Sequence, residues 1–290
     1  MKIEDRCVLA PEDAGGYLVI TILGERMSFR PVNTSHAIVE AVFGVNFGRG
    51  WTHNEIAQVK NSHHLWRDML PRMSDIQGVD VTIGADGELT KNASLPGVMF
   101  DRFNPDGTVS WRLAIRDNSI IVNCLSYDRW LPVSQQALEL MRNVARIGAA
   151  HNKQIGTVFL QYIDQFNWVG ESRDYDLSKL FQLDGRVLPT SLAEKSKLWH
   201  IHQGWFEDLN APLKSKTLNK VDLSGLQNEE KRYIVRLDNL LQSTIEPAQP
   251  AADLEHEKSW ITDTFDVLHE MNKDTLRAFL TPEAAKGLGL

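Results

Sequence analysis

Cysteine is scarce in this chain of 290 residues. Cys7 and Cys124 are its only two, and their spacing fits neither a disulfide framework nor a metal-binding knuckle. Two isolated thiols are typical of a reducing compartment, so we expect a cytoplasmic protein. The first residues run into acidic side chains and Pro11, which is not the pattern of a secretory signal peptide. No apolar run approaches the length that spans a bilayer, so the sequence predicts no membrane contact.

An excess of positive charge is also missing. The formal net charge is −7 at pH 7, and Lys and Arg occur in scattered ones and twos. This balance disfavours nucleic acid as a partner, although it leaves a local basic patch open. The chain lacks a glycine-rich phosphate loop, a nucleophile elbow, a His-Glu-x-x-His helix and paired Cys knuckles. The sequence therefore favours a protein without a cofactor and without enzymatic activity.

The clearest structural signal is the stretch from Asn33 to Phe47. Apolar residues alternate along it, which predicts a strand that is buried on one face and partly covered on the other. The residues on the buried face are Ala37, Val39, Ala41, Phe43 and Val45. Those that interrupt the polar face are Ile38, Val42 and Phe47.

Four further segments carry helix signals. Thr52 and Glu55 have capping-box spacing, and Pro71 should end the helix that follows them. Pro132 opens a second helix, whose buried stripe is Val133, Ala137, Leu138, Met141, Val144, Ala145 and Gly148. After a break in the Pro- and Ala-rich segment Glu246–Ala252, a third helix should run from Asp253 to about Leu276. A short last helix begins at Pro282.

Strands fill much of the remaining chain, and their connections are too short for parallel crossovers. The predicted strands are Tyr17–Leu23, Val79–Ile83, Val98–Phe103, Thr108–Ile115, Ser119–Leu125, Ile155–Trp168, Lys197–Asp208, Thr217–Leu226 and Tyr233–Ile245. We therefore predict an α+β fold with largely antiparallel sheets backed by long helices. Residues 1–170 would form an N-terminal half and 171–290 a C-terminal half packed with it as one unit. The order of elements allows two related halves, although no residue-level repeat is visible.

The candidate metal ligands are His200 and His202, which share one strand face because side chains repeat every second residue. Such a pair binds zinc if a carboxylate or a third imidazole joins it. The alternative is a solvated polar face opposite Trp199, Ile201 and Trp205, and this interpretation is favoured.

The candidate binding residues are Arg142, Arg146 and Trp130. The two arginines lie one helical turn apart, where they would either contact phosphate or form an ordinary solvated helix face. Trp130 lies at the end of an element, where an indole ring either packs or anchors a partner. Asp222 and Asp238 fall on neighbouring predicted strands, where a buried pair would support acid–base chemistry and exposed positions are the more common explanation.

Several segments together resemble a sporadically distributed family of bacterial and phage proteins. The segment Ser35–Phe47 resembles its N-terminal Ile-Val-Glu-x-Val-Phe signature, and Leu125–Leu131 with Gly156–Asp164 resembles its aromatic helix block and the following strand. Leu268–Glu283 is similar to its C-terminal helix pair. Asp164 stands where the family commonly has Asn. The resemblance implies no established reaction, cofactor or catalytic residue, and it suggests a setting in mobile elements or phage defence.

Three functions of different classes remain. The leading hypothesis is a non-enzymatic interaction or regulatory subunit, in a phage-defence or toxin–antitoxin setting, with a protein partner or a second copy. In that case we expect the C-terminal segment, above all the last helix, to take part in assembly. The second hypothesis is a small-ligand-binding module with a pocket between sheet and helices. The third is a hydrolase or nuclease that uses Asp and His side chains.

Overall fold

A ten-stranded antiparallel sheet forms the centre of the computed structural model. The structure describes residues 28–290 apart from 34, 77–78, 84–88, 94–96, 195 and 257–258. The predicted strand Tyr17–Leu23 lies outside the described residues. The strands are β1 (Ser28–Pro31), β2 (Ile38–Phe47), β3 (Arg72–Ile76), β4 (Val79–Ile83), β5 (Leu89–Ala93), β6 (Gly97–Phe103), β7 (Val109–Arg116), β8 (Ser119–Cys124), β9 (Gln154–Val169), β10 (Trp199–Leu209), β11 (Ser215–Gln227) and β12 (Tyr233–Pro250).

The strand order of the large sheet is β10-β11-β12-β9-β2-β8-β7-β6-β3, and β1 pairs with the end of β9. Strands β4 and β5 pair only with each other in a separate hairpin within the described residues. The 16-residue β9 pairs with β2 on one side and β12 on the other. Strands from both sides of the predicted boundary at 170 therefore share one sheet.

The described residues contain four α-helices: α1 (His53–Asn61), α2 (Trp130–Ala150), α3 (Trp260–Phe279) and α4 (Pro282–Gly287). Every residue of the predicted stripe on α2 is buried. Residues of α2 and α3 share one hydrophobic core with β2, β7, β8 and β9, so both helices cover the same face of the sheet. The combination of a large antiparallel sheet and these helices confirms the α+β class. None of these helices is both long enough and apolar enough to cross a membrane.

Phe43 occupies the centre of this core. Its side chain is fully buried, and its ring lies 5.6 Å from the Trp130 ring and 5.4 Å from the Phe265 ring, measured between centroids. One ring therefore contacts both covering helices. Val39 is an exception on the predicted buried face, because a register irregularity between Ile38 and Glu40 interrupts the alternation and leaves it half-exposed.

Two predicted helix boundaries are wrong. The capping box at Thr52 and Glu55 is present, but α1 ends at Asn61 rather than near Pro71. The chain then tightens into a 3-10 turn over Ser62–Leu65, which is followed by the buried Trp66 ring packed edge-on against Phe100.

The segment Glu246–Ala252 is not a break, because β12 continues to Pro250 and pairs there with the start of β9. A separate 3-10 turn over Ala251–Glu255 follows, and α3 begins only at Trp260. The Trp260 indole nitrogen donates a hydrogen bond of 2.9 Å to Asp253, which fastens the helix start to that turn.

The C-terminal tail packs against its own chain. Ala285 in α4 is buried, and Leu288 and Leu290 pack against a second hydrophobic cluster formed with β11 and β12. The backbone N–H of Thr281 donates to the carbonyl of Leu180. The last helix therefore packs on its own chain, and its part in assembly stays a prediction.

A buried lysine joins α1 to the start of β9. The Lys153 ammonium donates to the carbonyl of Gly50 at 2.8 Å and lies 3.5 Å from the Glu55 carboxylate and 4.4 Å from the centre of the Trp51 ring. Burial lowers the pKa of Lys153, and the neighbouring Glu55 carboxylate opposes this shift. Burial also opposes ionisation of Glu55, but hydrogen bonds from Arg49 and from the Thr52 backbone lower its pKa to about 2. The Glu55 carboxylate is therefore ionised at neutral pH, beside the buried Lys153 side chain.

Replacing Phe43 with Ala tests the packing of the core. We expect a loss of about 3–5 kcal/mol in the free energy of unfolding, because the cavity would be enclosed by two helices and the sheet. Denaturant unfolding followed by circular dichroism measures this loss. Leu131→Ala is the matched control, since Leu131 is 64% exposed on α2 and should change stability little. Equal losses in the two variants would contradict the central position of Phe43.

Candidate functional site

The sheet face opposite α2 and α3, here called the helix-free face, carries a groove of about 730 Å³. Side chains alternate along each strand, so the residues that line the groove come from every second position of neighbouring strands. The lining residues are Glu40, Val42, Asn46, Asp75, Ile76, Met99, Arg112, Ala114, Arg116, Ile121, Asn123, Phe159, Gln161, Ile163, Leu240 and Gln242. Half of them are apolar and half are polar or charged, which is typical of a binding surface.

Hydrogen bonds between strands hold many of the polar lining residues in place. The Asn123 amide donates to the Glu40 carboxylate at 2.7 Å, and Ser119 donates to the Asn46 side chain at 2.7 Å. Arg112 donates to the buried Asp101 carboxylate at 2.7 Å. The polar groups of the groove are therefore fixed before any ligand binds, which lowers the entropic cost of binding.

The floor of the groove depends on Gly44. A β-carbon at Gly44 would lie 1.9 Å from the Phe159 ring, so the ring lies directly across this glycine. Phe159 and Gly44 are direct neighbours on β9 and β2. Any larger side chain at position 44 would displace the ring.

A row of titratable side chains adjoins the groove on the same face. The strand register places His202 opposite Asp222, and Asp222 opposite Asp238. Asp222 accepts hydrogen bonds from His202 and from Lys220, the latter at 2.9 Å. Partial burial acts to raise the pKa of Asp222, but the two hydrogen bonds outweigh it, so the pKa lies below its ordinary value.

The pKa of Asp238 is shifted in the opposite direction. Burial raises its pKa, and the charge of Asp222 adds to the increase, although Gln161 donates to Asp238 at 2.7 Å. Two carboxyl groups whose pKa values are shifted in opposite directions therefore lie opposite each other on neighbouring strands. The Asp and His side chains of the hydrolase hypothesis are therefore neighbours in the fold.

The candidate zinc ligands His200 and His202 are exposed on this face. Their side chains are 61% and 55% exposed, and each has Asp222 as its nearest acidic neighbour. His200 also pairs with the Ser224 hydroxyl at 2.9 Å. Within the described ranges, no three His, Cys, Asp or Glu side chains come together as a metal-binding group.

The candidate arginines line a second groove, of about 700 Å³, between α2 and α3. Arg146 lies 3.9 Å from Glu255, and the buried Nε of Arg142 has no hydrogen-bond partner among the described residues. Acidic side chains, including Glu139 and Asp266, line the same groove. The arginines are therefore in a cavity of mixed charge and do not form a basic patch.

Trp130 is a packing residue. Its ring stacks on His269 at a centroid distance of 4.1 Å and an interplanar angle of 6°. Its indole nitrogen donates to Asp266 at 2.8 Å. Both contacts tie the start of α2 to α3, so the ring holds the helices together.

A buried polar seam lies between α3 and the sheet. The helix crosses three neighbouring strands, and polar contacts mark both ends of the crossing. His269 pairs with the Tyr162 hydroxyl on β9 at 2.9 Å, and Asn219 on β11 donates to Thr275 at 2.8 Å. Burial lowers the pKa of His269 to about 4, so its imidazole is neutral at physiological pH.

Asp164 is the most unusual member of this seam. It is fully buried on β9, and neither carboxyl oxygen has a hydrogen-bond partner among the described residues. Burial raises the pKa of Asp164 to about 7. The sequence does contain a signal for it, because Asp164 continues the buried alternation of Leu160, Tyr162 and Phe166.

Comparison with known proteins adds no identification, since neither a protein-family model nor a curated protein matches this chain.

Zinc binding tests the two exposed histidines. We expect the double variant His200→Gln, His202→Gln to unfold at the same temperature as the wild type, with and without zinc, because exposed imidazoles contribute little to stability. Differential scanning fluorimetry measures both midpoints. A zinc-dependent rise in the wild-type midpoint that disappears in the double variant would establish a metal site.

The buried carboxyl group predicts a pH dependence of stability. The folded chain keeps the Asp164 proton up to about pH 7, whereas the unfolded chain loses it near its ordinary pKa of 3.8. The folded state therefore keeps this proton between these values, and the contribution of Asp164 to the free energy of unfolding falls as the pH rises. The lowered pKa of His269 has the opposite effect between about pH 4 and 6.5, so the Asp164 contribution is the difference between the wild type and an Asp164→Asn variant. The difference between the two pKa values of Asp164 corresponds to on the order of 4 kcal/mol.

Asp164→Asn should remove this slope and make the protein more stable than the wild type above pH 7. Urea unfolding across pH 4–8 measures the slope in both proteins. Asp68→Asn, at an exposed position, is the control and should keep the wild-type slope. A difference between the wild-type and Asp164→Asn curves that stays constant across pH 4–8 would show that the carboxyl group finds a partner in solution.

Proposed function

We propose that this chain is a non-enzymatic binding protein whose helix-free face receives another protein. The supporting observation is the asymmetry of the sheet, because helices cover one face while the groove crosses the middle of the other. Apolar side chains such as Ile121, Phe159 and Leu240 line this groove beside polar side chains that are already paired. Apolar surface rimmed by ordered polar groups is the composition of protein interfaces.

The partner we propose is a protein made in the same cell. The resemblance to a phage and bacterial family suggests the setting, which would be phage defence or a toxin–antitoxin pair. In such a pair the chain would act by occupying a surface of its partner, so it needs no catalytic group of its own.

A second candidate function is the binding of a small molecule in the same groove. Its volume of about 730 Å³ falls within the range that ligand sites occupy. Its polar groups include Glu40, which accepts from Asn123, and Arg112, which donates to Asp101. Together with the apolar surface, they would suit a ligand that is apolar with a few hydrogen-bonding groups.

Substitution of Ile121 tests the groove. Ile121 is half-buried in the groove on β8, so a lysine there would place a charge on the proposed contact surface. We expect Ile121→Lys to fold but to lose a stoichiometric partner that copurifies with the wild type from the native host. Crosslinking followed by quantitative mass spectrometry measures the loss, and circular dichroism checks the fold.

Leu131→Lys is the matched control, because Leu131 is exposed on α2 far from the helix-free face. The control should keep the partner. A partner that binds Ile121→Lys as well as the wild type, or a wild type without a stoichiometric partner, would contradict the proposal. A small molecule seen by native mass spectrometry on the wild type and missing from Ile121→Lys would favour the second candidate.

A further inference from the structure

Strand β10 forms one edge of the large sheet. It has 11 residues, and all of them pair with β11 on its inner side. On its outer side, the backbone of β10 makes no hydrogen bond to another described residue. A long edge strand of this kind is a template for a further strand, and proteins usually protect such edges with charges, prolines or bulges.

Large apolar side chains lie at both ends of this edge. Leu198, just before β10, is 58% exposed, and Phe206, near its end, is 66% exposed. Apart from Leu131 on α2, these are the most exposed large apolar side chains among the described residues. Their exposure coincides with the unpaired backbone, so both features point to the same contact.

The charges at the two ends are opposite. Lys197 lies just before the strand, and Glu207 follows Phe206. In an antiparallel pair of identical strands, the start of each strand lies beside the end of the other, and residues directly opposite share a face. One register therefore places Lys197 against Glu207 of a second copy and Leu198 against its Phe206.

We propose that a second copy of this chain pairs antiparallel with β10, with the two-fold axis at His202. The contact is isologous, because each copy contributes the same strand. Besides the charged and apolar pairs, this register places Trp199 opposite Trp205 of the second copy. The large sheet then continues through both copies, and each edge covers the other. This inference does not depend on the proposed function, since the edge and the groove are separate surfaces.

The existing contacts of the charged pair leave room for one further bond on each side. The Lys197 ammonium donates to the carbonyl and to the hydroxyl of Ser172 and lies 4.9 Å from the centre of the Tyr233 ring, which leaves one of its three donors. Glu207 accepts from the Trp205 indole at 2.7 Å with one carboxylate oxygen, and its other oxygen has no partner among the described residues. The remaining Lys197 donor and the remaining Glu207 oxygen are the groups that would pair across the two copies.

A charge reversal tests the pairing and its register together. Lys197→Glu and Glu207→Lys should each weaken the dimer about tenfold, because each replaces two symmetric attractions with repulsions. The double variant should restore the wild-type dissociation constant. Analytical ultracentrifugation over a range of protein concentrations measures all four proteins.

If the double variant recovers the wild-type dissociation constant, a contact between Lys197 and Glu207 of the same chain cannot explain the recovery. Ten positions along an extended strand correspond to about 33 Å, so the two side chains cannot meet in the same copy. A wild type that stays monomeric at high micromolar concentration would overturn the proposal. A double variant as weak as the single variants would overturn it as well.

An apolar variant gives an independent check. Phe206→Lys should produce a monomer with unchanged circular dichroism, because Phe206 is exposed in the single chain. Leu65→Lys, at a position that is 50% exposed outside the sheet, is the control and should remain dimeric. A dimer that survives Phe206→Lys would place the interface elsewhere and overturn the assignment to β10.

Discussion

The pairing of β9 on both of its sides is the constraint on which the rest of the structure depends. This strand exchanges backbone hydrogen bonds with β2 from the first half of the chain and with β12 from the second half. From Val158 onward its even-numbered residues are buried on the helix side, and its odd-numbered residues Phe159, Gln161 and Ile163 line the groove. A shift of one residue would move Tyr162 and Asp164 to the helix-free face and Phe159 into the core.

The two faces of the sheet consequently have different physical roles. On the helix side, the rings of Phe43, Trp130 and Phe265 fill the central space, and a polar seam under α3 adds directional contacts. On the other face, polar and apolar side chains alternate across neighbouring strands, and no helix of the described part of the chain lies above them.

Local patterns predicted the elements well where hydrophobic alternation or capping is a property of neighbouring residues. The strand β4 has its predicted bounds, and the buried stripe of α2 matches the predicted one. Predictions failed where distant contacts decide the outcome. The end of α1 depends on the packing of Trp66 against Phe100, and the late start of α3 depends on a turn that Asp253 fastens. The groove escaped prediction because its residues come from seven separate strands.

The sequence by itself determined the α+β class, most strand positions and the antiparallel connections, because these follow from side-chain periodicity and short loops. Only the tertiary structure decided which strands are neighbours, since pairing joins residues far apart in the chain. It also gave individual residues their roles. The Trp130 ring packs on His269 of α3, and Asp164 is fully buried within the folded chain. Such roles depend on the surroundings of a side chain, which the order of residues specifies only through the complete fold.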